Sequence, residues 1–265
     1  MACVTLLSDF GLRDASVAAA KGVLMQHLPG VQLIDISHDV EPFHMQQAAY
    51  LLMAAARNFP PGTIHILLFD IFSEKAPRLL LCEHEGQYYL APDNGILPLA
   101  FGHEPEDTWT CHELTTHGIF REWLDKAGSM AAQLQTKTPA QMKLAPCKLK
   151  QAPRHWLPKI GENMVECHVI HVDRYENVVL NITKEQFDTY ANGRPFRIVF
   201  ARDEELSQLS THYYNVGKGV KLCRFNATGF LEIAINHDKA SSLFALKLYH
   251  ERNMMYHRVK IQFGE

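Results

Sequence analysis

The stretch SDFGLRDAS at residues 8–16 puts two carboxylates, Asp9 and Asp14, where an apolar run ends and a helix-forming run begins. A third carboxylate, Asp70, closes the apolar run TIHILLFD at 63–70, and a fourth, Asp93, sits in APDNG. Open α/β sheets gather ligands at the C-terminal ends of their strands. A carboxylate there accepts two hydrogen bonds and so matches a vicinal diol such as a ribose, or it pairs with a cationic ligand. Structural roles compete with this reading. Asp14 suits a helix cap, and Asp93 beside Asn94 and Gly95 suits an ordinary turn. The chain has no G-x-G-x-x-G after a strand and no G-x-x-x-x-G-K-S/T, so a ligand with a ribose and no phosphates fits better than a dinucleotide or a P-loop nucleotide.

Histidine offers a second chemistry, with fifteen in the chain. His38, Asp39 and His44 could serve a metal-dependent hydrolase. In CHVIH, strand alternation sends Cys167 and His171 one way and His168 the other, so the run does not converge on one ion. Our expectation is no metal and no cofactor. No nucleophile elbow is present, and no cysteine stands beside an evident base.

The elements that must position these groups follow from hydrophobic periodicity. Residues 3–8, 31–37 and 63–70 read as strands, and 15–27, 42–59 and 119–134 as helices. Residues 78–97 read as a strand pair joined at Gly86. Strands alternating with helices predict an α/β N-terminal domain with a mostly parallel sheet. Residues 137–161 carry four prolines and no clear period and read as a linker or irregular crossing. Beyond it, MVECHVIHVD, NVVLNI, FRIVFA, GVKLCRF, FLEIAI, ALKLY and HRVKIQF predict a C-terminal all-β barrel. The expected domains are 1–150 and 151–265.

Composition bounds the rest. The 265 residues are 47% hydrophobic with a formal charge of −3, which carries no nucleic-acid or membrane footprint. Six scattered cysteines without a C-x-x-C pair, and a start without a basic or signal-length apolar region, lead us to expect a cytoplasmic protein with reduced thiols.

Five motifs in order, SDFGLRDASVAAAKGVL, LIDISHDVEP, APDNGIL, HVDRYENVVLNI and NATGFLEIAIN, resemble the S-adenosylmethionine hydroxide adenosyltransferase family, which is grouped with the halogenases that make fluoro- or chloro-adenosine. The resemblance spans residues 4 to about 248. It implies a homotrimer whose ligand lies between the N-terminal domain of one subunit and the C-terminal domain of the next. It implies that Asp9 grips the ribose hydroxyls, that Asp14 and Ser16 meet the methionine end, and that Phe43 packs beside the ribose. Asn94 lies in a shared binding turn. In the second domain it implies that Asp173 meets the amino group, Asn177 bonds adenine, Tyr213 stacks on it, and the strand of Glu232 and Ile235 reads its edge.

The reaction implied is hydrolysis of S-adenosyl-L-methionine to adenosine and L-methionine by in-line attack at C5′. In the family an Asp, an Arg and a His are proposed to hold the water. Asp70 matches the Asp. The Arg position is Pro77, with Arg78 one place later, and the His position is Glu122 without a gap or His117 with one. Ala227 replaces a serine that helps hold the methionine carboxylate. A halide site is less well matched, because Trp123 stands where a serine is expected and Asp70 repels an anion. The alternative to hydrolysis is a diverged protein that binds adenosine or S-adenosylmethionine without turnover.

Overall fold

The computed structural model describes residues 3–73, 77–103, 105, 107–113, 120–151, 157–200, 204–248 and 258–264, with backbone alone at 110–113. The chain divides into two compact units, Met1–Pro153 and Arg154–Glu265.

In the first unit the elements run β1 (Val4–Ser8), α1 (Ser16–His27), β2 (Leu33–Ser37), α2 (Met45–Ala56), β3 (Ile64–Leu68), β4 (Arg78–His84), β5 (Gln87–Pro92), α3 (Ile96–Phe101), β6 (Asp107–Glu113), α4 (Phe120–Leu134) and β7 (Ala145–Pro146). The sheet order is β2-β1-β3-β5-β4-β6-β7. Pairings β1–β2, β1–β3 and β3–β5 are parallel, whereas β4–β5, β4–β6 and β6–β7 are antiparallel. The sheet is therefore mixed, which corrects the expectation of a mostly parallel one. The cause is local. Glu85 and Gly86 both take positive φ, at 50° and 73°, and close a two-residue turn of the kind that joins antiparallel strands without a crossover helix.

β1 and β3 are buried along their whole length, as strands covered on both faces must be. Val4, Leu6, Ile64 and Ile66 face a core shared with Leu24 of α1 and Trp123 of α4. Gly128 lets those two helices approach, since a Cβ there would lie 2.8 Å from His27 Cδ2. The opposite face carries a polar chain. Thr5 Oγ1 lies 2.7 Å from His65 Nδ1, His65 Nε2 lies 3.1 Å from Gln87 Oε1, and Gln87 Nε2 donates to the carbonyls of Ala56 and Phe59 at the end of α2. Gln87 thus ties β5 to the last turn of α2 and to the residues just after it.

The second unit runs β8 (Lys159–Ile160), β9 (Met164–Val172), β10 (Val178–Thr183), α5 (Lys184–Ala191), β11 (Phe196–Phe200), β12 (Glu204–Leu206), β13 (Lys221–Phe225), β14 (Phe230–Ile235), α6 (Ala240–Phe244) and β15 (Arg258–Phe263). Its strands form one antiparallel sheet in the order β12-β11-β15-β9-β10-β14-β13, with β8 on β9. An ion pair between Lys221 and Glu204 and a bridge between Leu209 and Cys223 draw the two edges together into a nearly closed barrel.

The unit is not all-β. Thr183 and Gln186 form a capping box that starts α5, and Asn192 ends it in the left-handed conformation. The run ALKLY forms no strand at 245–248, because Ala245 terminates α6 with a φ of 53°. Among the described residues no helix is long and apolar enough to cross a membrane.

Burial holds the pKa of His65 down to about 4, from an ordinary 6.5. Its neutral form is thus the folded one, and the stability this brings is present above pH 6.5 and lost as pH falls toward 4. Urea unfolding across that window should show a loss approaching ~3 kcal/mol from this residue, and His65→Gln should flatten it.

Candidate functional site

β1 and β3 run in register, with Ser8 opposite Leu68, so the residues that follow them leave the sheet at one edge. Asp9 and Asp70 stand there. Asp70 adopts a φ of 45°, in the left-handed region that Asn and Asp tolerate better than most residues. Burial raises the Asp70 carboxyl above the usual carboxylate range, and the negative charge of Asp9 raises it further. Asp9 is also raised by burial, partly offset by the backbone N–H groups of Phe43 and Asp9 itself. Two half-buried carboxylates repelling one another form a site with an unmet need for positive charge or donated hydrogen bonds.

Neighbouring residues hold this edge in shape. Phe43 N donates to Asp9 Oδ2 at 3.4 Å. Phe43 itself has a φ of 63° and an exposure of 76%, and His44 caps α2 by accepting from Gln47 N. α2 therefore begins at Met45, not at the expected 42, and Phe43 before it turns its N–H toward Asp9. Asn94 donates to the Phe69 carbonyl at 3.1 Å and accepts from Ile96 N at 3.1 Å, so it fixes the turn that bears Asp70. From behind, Ser8 Oγ lies 2.7 Å from His38 Nδ1, and the His38 carbonyl accepts from Gly11 N at 2.7 Å. His38 Nε2 is 3.0 Å from Asp35 Oδ1, close enough for an ion-pair contact although out of line for a hydrogen bond.

The other expected residues of the first unit fall as follows. Asp14 is exposed and accepts from Ser16 N at 2.8 Å, which lowers its pKa and makes it a turn at the start of α1. Arg78 is bonded to buried Asp93, and its guanidinium also donates to the Lys148 carbonyl at 3.1 Å. Asp93 further accepts from Lys150 N at 3.0 Å, so this pair ties the start of β4 to the segment leaving β7. Glu122 is half-buried in the first turn of α4, and His117 lies outside the described residues. His38 and His44 are engaged as above, and among the described residues no group of three or more His, Cys, Asp or Glu is arranged to hold a metal ion.

The second unit holds a cavity of about 640 Å³ where β9 and β14 end and β10 begins. That volume suits a nucleoside-sized ligand. Asp173, Asn177, Tyr213 and Ile235 all line it, so these four expected residues are brought together. Asp173 organises the turn by accepting from Tyr175 N and Asn177 N, and its Oδ2 accepts from Asn177 Nδ2 at 2.9 Å. Tyr175, Lys239 and Asp238 also line the cavity and went unremarked in the sequence, where exposed loop residues carry no periodic signal. Glu232 is buried and does not line it.

Residues 4–141 match the model of the SAM hydroxide adenosyltransferase N-terminal domain, and 167–252 match that of its C-terminal domain. The chain belongs to the SAM hydroxide adenosyltransferase family. It is 26% identical to the (R)-S-adenosyl-L-methionine hydrolase of Methanocaldococcus jannaschii, over 96% of this chain and 95% of that one. It is 26% identical to the enzyme of the same name from Thermus thermophilus, over 92% and 96%. A fluorinase of an Actinoplanes species is 34% identical, over 36% of this chain and 39% of its own length. The fold matches a solved structure of an uncharacterized conserved protein from Thermotoga maritima with a TM-score of 0.77 at 24% identity, covering 98% and 99% of the two chains.

The repulsion at the sheet edge has a measurable cost. Asp70→Asn keeps the left-handed backbone and removes one charge, so at pH 7 it should raise the melting temperature by roughly 2 °C. The gain should shrink as pH falls, because the raised Asp70 pKa means the wild type sheds the penalty on protonation. Calorimetry at pH 7 and pH 5 checks both.

Proposed function

We propose that this protein hydrolyses S-adenosyl-L-methionine to adenosine and L-methionine. The observation that carries the reading is the Asp9–Asp70 pair at the β1 and β3 ends of a chain belonging to this family. Full-length relatives named (R)-S-adenosyl-L-methionine hydrolase support it.

The chemistry suits the residues. Water oxygen bonds to C5′ while the C5′–S bond breaks in line, and its electron pair returns to sulfur. The sulfonium leaves as neutral methionine and needs no acid. Asp70 orients the water and takes its proton, a task helped by a pKa raised toward the working range. Asp9 accepts from the ribose hydroxyls. The cationic substrate relieves the repulsion between the two carboxylates, so binding energy is available where charge is densest. The cavity of Asp173, Asn177 and Tyr213 takes the adenine. Arg78 in this reading anchors the end of the Asp70 loop through Asp93 instead of touching the water.

A homotrimer, with ligand shared between neighbouring copies, belongs to the same reading. It is supported by exposed apolar side chains beside the site residues, Leu12, Phe43 and Phe72 in the first unit and Tyr175 and Tyr214 in the second. A cytoplasmic location is supported by Cys3, Cys82, Cys147, Cys167 and Cys223, which are free thiols.

Incubation with S-adenosylmethionine in ¹⁸O-labelled water should give adenosine carrying the label and unlabelled methionine. Asp70→Ala should slow this at least ~100-fold, the scale of a lost general base. Intact S-adenosylmethionine that stays bound would replace hydrolysis with binding alone.

A further inference from the structure

Tyr213 reaches the cavity from a short 3-10 turn, Tyr213–Asn215, and its ring is about one-third exposed. A tyrosine in such a turn has no strand ladder to fix its side chain. Two residues outside the cavity lining do so instead. Glu232 Oε1 accepts from the Tyr213 hydroxyl at 2.7 Å, and the Arg224 guanidinium lies over the ring, 4.8 Å from its centroid. The β13–β14 register sets Arg224 directly opposite Glu232, so one cross-strand pair holds both the edge and one face of the ring. Glu232 is only 5% exposed, on a strand whose neighbours Leu231 and Ile233 are core. A buried carboxylate is costly unless it is paired; Tyr213, Arg224 and Asn226 favour the charge of Glu232, whereas burial and the carboxylate of Asp173 oppose it.

We propose that Glu232 and Arg224 are positioning residues that hold the Tyr213 ring as the purine-stacking surface of this cavity, and that neither reads the ligand itself. The proposal rests on the adenosyl reading above. It differs from a base-edge role for Glu232, because the carboxylate meets the ring at its hydroxyl and does not line the cavity. An aromatic held on one face and at its hydroxyl has little rotamer freedom left to lose when a base stacks on the other face.

Titration calorimetry with adenosine and inosine separates these roles, because the two nucleosides share the stacking face and differ at the amino edge. The wild type should bind adenosine. Glu232→Ala should weaken both nucleosides by the same factor, roughly ten-fold, the scale of one base–aromatic stack. Glu232→Gln, which still accepts from the phenol, should recover most of that affinity. Tyr213→Phe should lose a similar factor, and Glu232→Ala with Tyr213→Phe should be little worse than either alone. Arg224→Met should also weaken the two nucleosides equally. Should Glu232→Ala not fold, Tyr213→Phe and Glu232→Gln, which preserve volume, carry the comparison.

A changed adenosine-to-inosine ratio in the Glu232 variants would make Glu232 a reader of the base and overturn the proposal. So would factors that multiply in the double variant, a Tyr213→Phe variant that binds like wild type, or a Glu232→Gln variant as weak as Glu232→Ala. A wild type that binds neither nucleoside would overturn the adenosyl reading, and the positioning role with it.

Discussion

Two like charges held at adjoining strand ends are the constraint on which the rest of the first unit turns. Asp9 and Asp70 each give up part of their hydration, and the charge of Asp9 raises the cost of charging Asp70. Such a pair persists only where the surrounding structure fixes it. Much of the local design can be traced to that need. The buried parallel pairing of β1 and β3 sets the separation of the strand ends. Asn94 holds the backbone before Asp70, and Phe43 turns an N–H toward Asp9. His38 grips the other side of the Asp9 loop. In the function proposed for this site, stability is spent there so that a cation with a diol finds the site already formed.

The second unit solves a different problem. The adenine site proposed for its cavity needs an aromatic surface at a barrel end, where strands stop and loops begin. The barrel supplies it indirectly. A cross-strand acid–base pair, Glu232 and Arg224, stands at fixed register inside the ladder and meets a loop tyrosine at its hydroxyl and on one face. Precision thus comes from the sheet even though the contact surface comes from a turn. The Asp173 turn follows the same economy, with one carboxylate taking two backbone N–H groups and the Asn177 amide.

Much of this was legible in the sequence, for physical reasons. The apolar runs of β1 and β3 and the period of α1 and α4 were strong enough to locate the elements and hence the carboxylates at their ends. The strand pair at Gly86 was anticipated, but the sheet was still read as mostly parallel because β6 and β7, which add two further antiparallel pairings, carried no strand signal that was recognised. α5 was missed inside a run of strands, although Thr183 and Gln186 carry a capping signature. Side-chain roles were harder. Arg78 was expected beside the water, and only the fold shows that Asp93 and the Lys148 carbonyl engage it. Asn94 reads as a turn former and proves to hold the Phe69 carbonyl. Pairings across 15 to 70 positions of chain leave no trace in local pattern.

Stereochemistry at C5′ tests most directly whether Asp70 acts on water and not on carbon. S-adenosylmethionine carrying deuterium at one C5′ position would be turned over, and the configuration of the adenosine product read by NMR. Direct attack of water in line with the departing sulfur requires inversion. Retention would mean that a carboxylate, Asp70 first among them, bonds to C5′ before water does, and would contradict the mechanism proposed for this site.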